Sequence, residues 1–261
     1  MEVPALGARL TSFADALLAV LLAPGCAACG RTLEHPVEGP VCGDCWASIL
    51  PLTPPVCDAC GDPLPRWRAI SVPLATCPRC RRSRREVTRS RAVGAYDGAL
   101  RSIVHAFKYD GRRSLAGPLA ALMRARGHDV LEGADAVVPV PLHASRRRSR
   151  GFNQADDLAR RLGLPVVRAL RRVRATATQA DLPAARRHAN VRDAFAPTSD
   201  ARLLWNRIIV LVDDVSTTGA TLEACARSLK ACELHEVRAI TAARVVGTSP
   251  VPRRRLPGPA P

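Results

Sequence analysis

Apolar residues fall along this chain in patterns that separate strands from helices. Ile208–Val212 is an unbroken β-branched and aliphatic run, the mark of a strand buried on both faces of a parallel sheet. Ala136–Val140, inside ADAVVPVPLH, predicts a second buried strand that ends in a proline-rich loop, and VGAYDG reads as an edge strand and turn. Helical spacing follows elsewhere. LRSIVHAFKYDG places Ile103, Val104 and Phe107 on one face, and a further helix is expected over about Ser114–Ala125. Another begins near Asn153, and the last is LEACARSLKA, directly after the Ile208–Val212 strand and its turn. Ala14–Ala23 reads as an N-terminal amphipathic helix. From Cys26 to Cys80, by contrast, aliphatic residues are too few to build a core.

The 261 residues, 47% of them hydrophobic, suffice for one large domain or two small ones. Ala14–Ala23 is too short to span a bilayer, which takes ~20 residues, and Asp15 interrupts it. The LLAPGC that follows is a poor lipoprotein signal, because Pro24 is awkward at a cleavage site and Cys26 has another use. The expected setting is therefore the cytoplasm. Ten cysteines in a reducing compartment point to metal rather than disulfides.

Eight of those cysteines form Cys-x-x-Cys pairs: Cys26/Cys29, Cys42/Cys45, Cys57/Cys60 and Cys77/Cys80. Each pair turns two thiolates to one side of a knuckle, and two knuckles complete a tetrahedral set around Zn²⁺. Two structural zinc sites follow. Gly30 and Gly61 directly follow a second cysteine, as tight knuckle turns require. A redox pair is the competing reading, but a thioredoxin-type site needs one pair in a βαβ setting. Adjacent pairs are the simplest partners, and an interleaved arrangement, first pair with third, stays open. Cys225 and Cys232, seven apart, have the spacing of buried helical cysteines.

The chemistry-bearing stretch is Arg207–Thr221, RIIVLVDDVSTTGAT. Asp213 and Asp214 stand where the strand should end. Ser216, Thr217, Thr218, Gly219, Ala220 and Thr221 then lead into a helix. In open α/β sheets ligands bind beyond the carboxyl ends of the strands, and a helix N-terminus offers amides to an anion. A phosphate suits the turn, and paired carboxylates suit a polyol such as ribose, directly or through Mg²⁺. The ligand so implied is a phosphorylated sugar. A plain N-cap would need only one of these polar residues.

Charge sharpens this. Net charge is +16, yet residues 1–60 hold two arginines against six acids, so the remainder carries +20. Only Lys108 and Lys230 are lysines among 39 basic residues, a bias that a GC-rich genome would also produce. The imbalance favours anionic partners, nucleic acid or phosphates. Seven arginines in Arg79–Arg91 read as a basic connector, usually a solvated one, and together with Arg146, Arg147, Arg148 and Arg150 before the Asn153 helix they make a candidate surface for single-stranded DNA. Aromatics are 3% of residues, with Trp67 and Phe152 nearest these runs, so base stacking should be minor.

Arg207–Thr221 resembles the phosphoribosyl-diphosphate (PRPP) signature of type I phosphoribosyltransferases. With Lys108 in HAFKYDG, the VPVPLH loop, RRSRGFNQ, RATATQADL and the four cysteine pairs, the order over about Ala23–Gly247 is similar to that of the ComF/GntX family. The resemblance implies an α/β fold: an N-terminal helix and double zinc ribbon over 1–90, a phosphoribosyltransferase-like twisted parallel sheet flanked by helices over 91–247, and a disordered tail over 248–261. It implies PRPP with Mg²⁺ at Asp213, Asp214 and Ser216–Thr221, the two aspartates being the catalytic residues of the transferase reading. It also implies a diphosphate and flexible-loop set of Lys108, Pro141, Leu142, His143, Arg150, Asn153, Gln154, Gln179, Arg187 and Asn190. His143 as a catalytic base is weighed against an ordinary loop residue. The family's link to natural competence implies DNA uptake as the setting, with single-stranded DNA and a DNA-uptake helicase as partners. The flexible-loop lysine of orotate-using relatives is replaced by Gln179 and arginines, and no separate base-recognising hood is evident. Three readings stay open: a phosphoribosyltransferase, a PRPP-responsive single-stranded nucleic-acid-binding module without turnover, and a nucleotide-salvage transferase unrelated to competence.

Overall fold

A computed structural model describes residues 24–65, 75–82, 85–174, 191 and 193–246. The N-terminal helix, Gln179, Arg187, Asn190 and the C-terminal tail lie outside the described residues. The chain divides into two compact units, one holding the described residues of 24–49 and 97–115, the other those of 50–96 and 116–246.

The larger unit is built on a four-stranded sheet of β1 (Arg89–Ala95), β2 (Ala136–Pro139), β5 (Ile208–Ser216) and β6 (Glu236–Arg244), in the order β1-β6-β5-β2. Every neighbouring pair is parallel. β5 is central, as its apolar run predicted. Ile209 and Leu211 pack with Leu222 and Cys225 of the helix Ala220–Ser228 on one face. Val210 and Val212 alternate to the other face and are equally inaccessible. Helix Gln154–Ala159 packs on β5 and β2, and helix Ala116–Arg126 on β1 and β6. A short antiparallel pair, β3 (Leu170–Arg172) with β4 (Phe195–Pro197), lies outside the main sheet.

Two regions differ from the sequence expectation. β5 does not stop at Val212; it continues through both aspartates to Ser216, because β6 accompanies it to Arg244. β2 stops at Pro139, where prolines at 139 and 141 remove the amides a ladder needs. The acidic pair therefore runs past the end of β2 while still paired on its other side. The second difference is Ala144–Arg150, which forms a helix, capped by the His143 side chain at one end and by Gly151 with φ 74° at the other.

The smaller unit contains the first two cysteine pairs, a short helix Gly43–Ala47, and the helix Gly98–Tyr109. That helix buries Leu100, Ile103, Val104 and Phe107, the face the spacing predicted. Asp97 caps its first turn by accepting from the Gly98 amide at 2.9 Å.

Candidate phosphate site and cysteine centres

The cysteines gather into two tetrads, Cys26/Cys29/Cys42/Cys45 and Cys57/Cys60/Cys77/Cys80, with all Sγ atoms of a set within 4.8 Å of one another. Adjacent pairs are thus the partners. Tetrahedral Zn–S bonds of about 2.3 Å would hold sulfurs about 3.8 Å apart. Here Cys26–Cys45 and Cys29–Cys42 are 3.9 Å apart and Cys60–Cys77 3.7 Å. Backbone amides point at the sulfurs: Ala28 and Cys42 donate to Cys26 at 3.4 and 3.3 Å, and Cys77 donates to Cys57 at 3.2 Å. Gly30 and Gly61 take φ of 78° and 71°, and at Gly61 a Cβ would meet the Ser90 carbonyl oxygen at 2.7 Å.

Crowded thiols also fit a cation electrostatically. Hydrogen bonds from Cys60 and Cys80 lower the Cys57 thiol to about 3, while the same contacts push Cys80 upward. In the first tetrad burial pushes Cys45 up. Burial opposes ionisation at Cys29 as well, but the Arg31 amide and guanidinium outweigh it and hold that thiol at about 6. Four thiolates at this spacing need a compensating charge, which a divalent cation supplies. The two tetrads fit structural Zn²⁺.

The phosphate-loop candidates come together at the carboxyl end of β5. Asp213 and Asp214 are half-buried, and the Asp214 amide donates to Asp213 Oδ1 at 2.8 Å. Ser216 is buried. Gly219, at φ 81°, is the N-cap of Ala220–Ser228, and the Ala220 amide donates to Thr218 Oγ1 at 3.3 Å. Thr217 and Thr221 are half-buried beside them. First-turn amides of a helix have no partner within the helix, and this helix begins directly after the strand that carries the acidic pair and the short turn that follows it. Positive charge gathers at the same place. Burial lowers the Arg172 pKa, the like charge of Arg146 lowers it further, and Asp213 acts in the opposite sense.

The β2 side of the site is pinned by its own polar residues. Asn153 Nδ2 donates to the Val140 carbonyl at 3.1 Å, and Asn153 Oδ1 caps Gln154–Ala159 by accepting from Ala155 at 3.2 Å. Arg150 Nη1 donates to the buried Gln154 Oε1 at 3.3 Å. Pro141, Leu142 and His143 form the half-buried loop between β2 and the arginine helix, with His143 Nδ1 2.8 Å from the Ser145 hydroxyl. Lys108 belongs to the smaller unit, half-buried near the end of Gly98–Tyr109. Phe152 is buried, so it offers no stacking face.

Family models match both parts of the chain: a double zinc ribbon domain over residues 17–81 and a phosphoribosyl transferase domain over residues 148–254. A DNA utilization protein, YhgH, of Salmonella typhimurium is 35% identical over 184 residues, covering 67% of this chain and 77% of the relative. The chain belongs to the ComF family. Competence protein F of Haemophilus influenzae is 29% identical over 214 residues, covering 78% of this chain and 90% of that protein. Competence protein ComFC of Bacillus subtilis is 27% identical over 193 residues, covering 72% and 77%. Among the described residues of this ComF-family chain, no helix is long and apolar enough to cross a membrane.

Several residues around the loop escaped the sequence reading. Arg244, 2% exposed, ends β6 opposite Ser216 and donates to its hydroxyl at 3.2 Å. Arg85, expected in a solvated connector, pairs with Glu223 at 2.7 Å, with side-chain exposures of 12% and 10%. The available signal was an arginine directly after the short Ala-rich run Ala239–Ala243, and a glutamate in the first turn of the loop's helix.

Proposed function

We propose that this chain binds PRPP with Mg²⁺ and acts in the handling of incoming single-stranded DNA in the cytoplasm. The 5-phosphate would lie on Ser216–Thr221 and the ribose hydroxyls on Asp213 and Asp214. Arg146, Arg150 and the Pro141–His143 loop would face the diphosphate. The observation that carries this reading is the run of both aspartates past the end of β2, next to a left-handed glycine and a helix N-terminus. Asp213 and Asp214 would hold Mg²⁺, which when bound would supply positive charge to offset that of the diphosphate. The chain's own residues would orient the ribose and hold the phosphate ends.

Two relatives are named for competence and one for DNA utilization, which supports DNA uptake as the setting, with a DNA-uptake helicase as a further proposed partner. Exposed Arg147 and Arg148 suit a phosphate backbone. Titration calorimetry with PRPP and Mg²⁺ tests the site: Asp213→Asn with Asp214→Asn should abolish binding while the fold persists. Undiminished affinity would refute the placement. Diphosphate release measured with and without single-stranded DNA then separates a transferase from a PRPP-responsive module, since only the former consumes PRPP.

A further inference from the structure

The phosphate loop is supported from outside its own motif, by side chains that also hold the second cysteine tetrad. One route begins at Cys60. Arg79 Nη2 lies 3.6 Å from Cys60 Sγ and donates to Asp62 Oδ2 at 2.8 Å. The other Asp62 oxygen accepts from Arg244 Nε, and Arg244 Nη1 reaches Ser216, where the loop leaves β5. A second route begins at Cys80. Arg85 Nη1 donates to Cys80 Sγ at 3.3 Å, while Nη2 pairs with Glu223 in the first turn of the loop's helix. The same Nη2 stands 3.2 Å from where a Cβ on Gly219 would be. Glu223 Oε2 in turn accepts from the Glu86 amide at 2.9 Å. Beside the first route lies an open pocket of about 480 Å³, lined by Asp62, Cys77, Arg79, Thr217 and Thr218.

We propose that Asp62, Arg244 and Arg85 are positioning residues that couple the second cysteine tetrad to the phosphate loop, so that metal held by Cys57, Cys60, Cys77 and Cys80 sets the loop's shape and its affinity for phosphate. The physical reason lies in the acceptors. A Zn²⁺ with four thiolates retains excess negative charge, and guanidiniums donating to it and to carboxylates make charge-assisted, directional bonds. Arg85 and Arg244 are largely enclosed, so losing an acceptor leaves a buried cation that must re-pair, and each already reaches the loop or its helix, Arg244 at Ser216 and Arg85 at Glu223. The first tetrad carries a matching arginine and carboxylate, Arg31 and Asp44, joined at 2.8 Å, but Asp44 is 75% exposed and both belong to the smaller unit.

The affinity claim rests on the PRPP reading; the shape claim does not, and the experiment keeps them apart. In full-length zinc-loaded protein, Asp62→Asn should retain two zincs by chromogenic chelator assay, speed amide exchange across residues 213–221, and weaken PRPP binding about tenfold. Asp44→Asn should change neither exchange nor affinity. Asp62→Glu, which keeps the carboxylate, should recover part of the affinity while melting at the same temperature as Asp62→Asn, an outcome that a purely structural role would not give. Should wild-type protein fail to bind PRPP, the functional reading falls and the exchange arm still decides the coupling. Unchanged exchange over 213–221 in Asp62→Asn overturns the proposal, as does an equal effect from Asp44→Asn.

Discussion

The two cysteine tetrads have the same ligands, nearly the same sulfur spacing and the same Cys-x-x-Cys-Gly opening, yet they serve different surroundings. Around the first, the arginine that lowers Cys29 ends its reach on exposed Asp44, within the same ribbon. Around the second, arginines leave the knuckle for Asp62 and Glu223 and so meet the phosphate loop. The cysteines of the second set are also the more enclosed, with Cys57 and Cys60 at 0% and 1% exposure. The same four-cysteine set can thus sit within one small ribbon in one place and, by the coupling proposed above, brace the Ser216–Thr221 turn in another. What differs is where the neighbouring guanidiniums find their carboxylates.

The largest effect should come from removing one ligand of each tetrad. Cys29→Ser and Cys57→Ser should each release one zinc, and structural zinc supplies about 10–16 kcal/mol of apparent binding free energy in isolated fingers, so each local ribbon should open. Limited proteolysis mapped by mass spectrometry should then cut within residues 24–49 in the first variant, and within residues 50–65, 75–82 and 213–221 in the second. Cleavage at 213–221 in Cys29→Ser would dissolve the contrast between the tetrads.

A core substitution gives the next size of effect and shows what the sheet contributes without metal. Leu211 is fully buried at the centre of β5, so Leu211→Ala should cost about 2–5 kcal/mol in chemical denaturation while leaving zinc content at two. Loss of zinc in that variant would mean that the second tetrad and the sheet do not separate as independent supports.

The smallest effect concerns Asp156, whose partners have no tie to either tetrad. Burial pushes its carboxyl up, but the guanidiniums of Arg168 and Arg160, bonded at 2.7 and 2.8 Å, hold it below the usual carboxylate range. With the folded value depressed, the stabilisation is present above about pH 4 and is lost as pH falls through the folded value. Both arginines are more than half exposed, so Asp156→Asn should cost about 0.5–1 kcal/mol at pH 7 and less at pH 2. Denaturation curves at the two pH values check this, and an equal loss at both would assign the effect to packing.

Local chemistry was legible from the chain alone. Four Cys-x-x-Cys knuckles, an apolar run leading through two aspartates into a hydroxyl-rich turn, and the buried face of Gly98–Tyr109 each depend on residues within a dozen positions of one another. Short-range spacing fixes those directions through the periods of strand and helix. The tertiary structure decided everything that needed a partner from afar. It paired adjacent knuckles rather than interleaved ones. It carried β5 on to Ser216 because β6 runs alongside, and it turned RRRSR into a helix. It also enclosed Phe152, and it placed Arg244 against Asp62, 182 residues earlier in the chain. No pattern along a strand records which distant carboxylate will lie beside its last residue, because that is set by how the sheet edge and the zinc knuckle pack, and burial then makes the pairing obligatory.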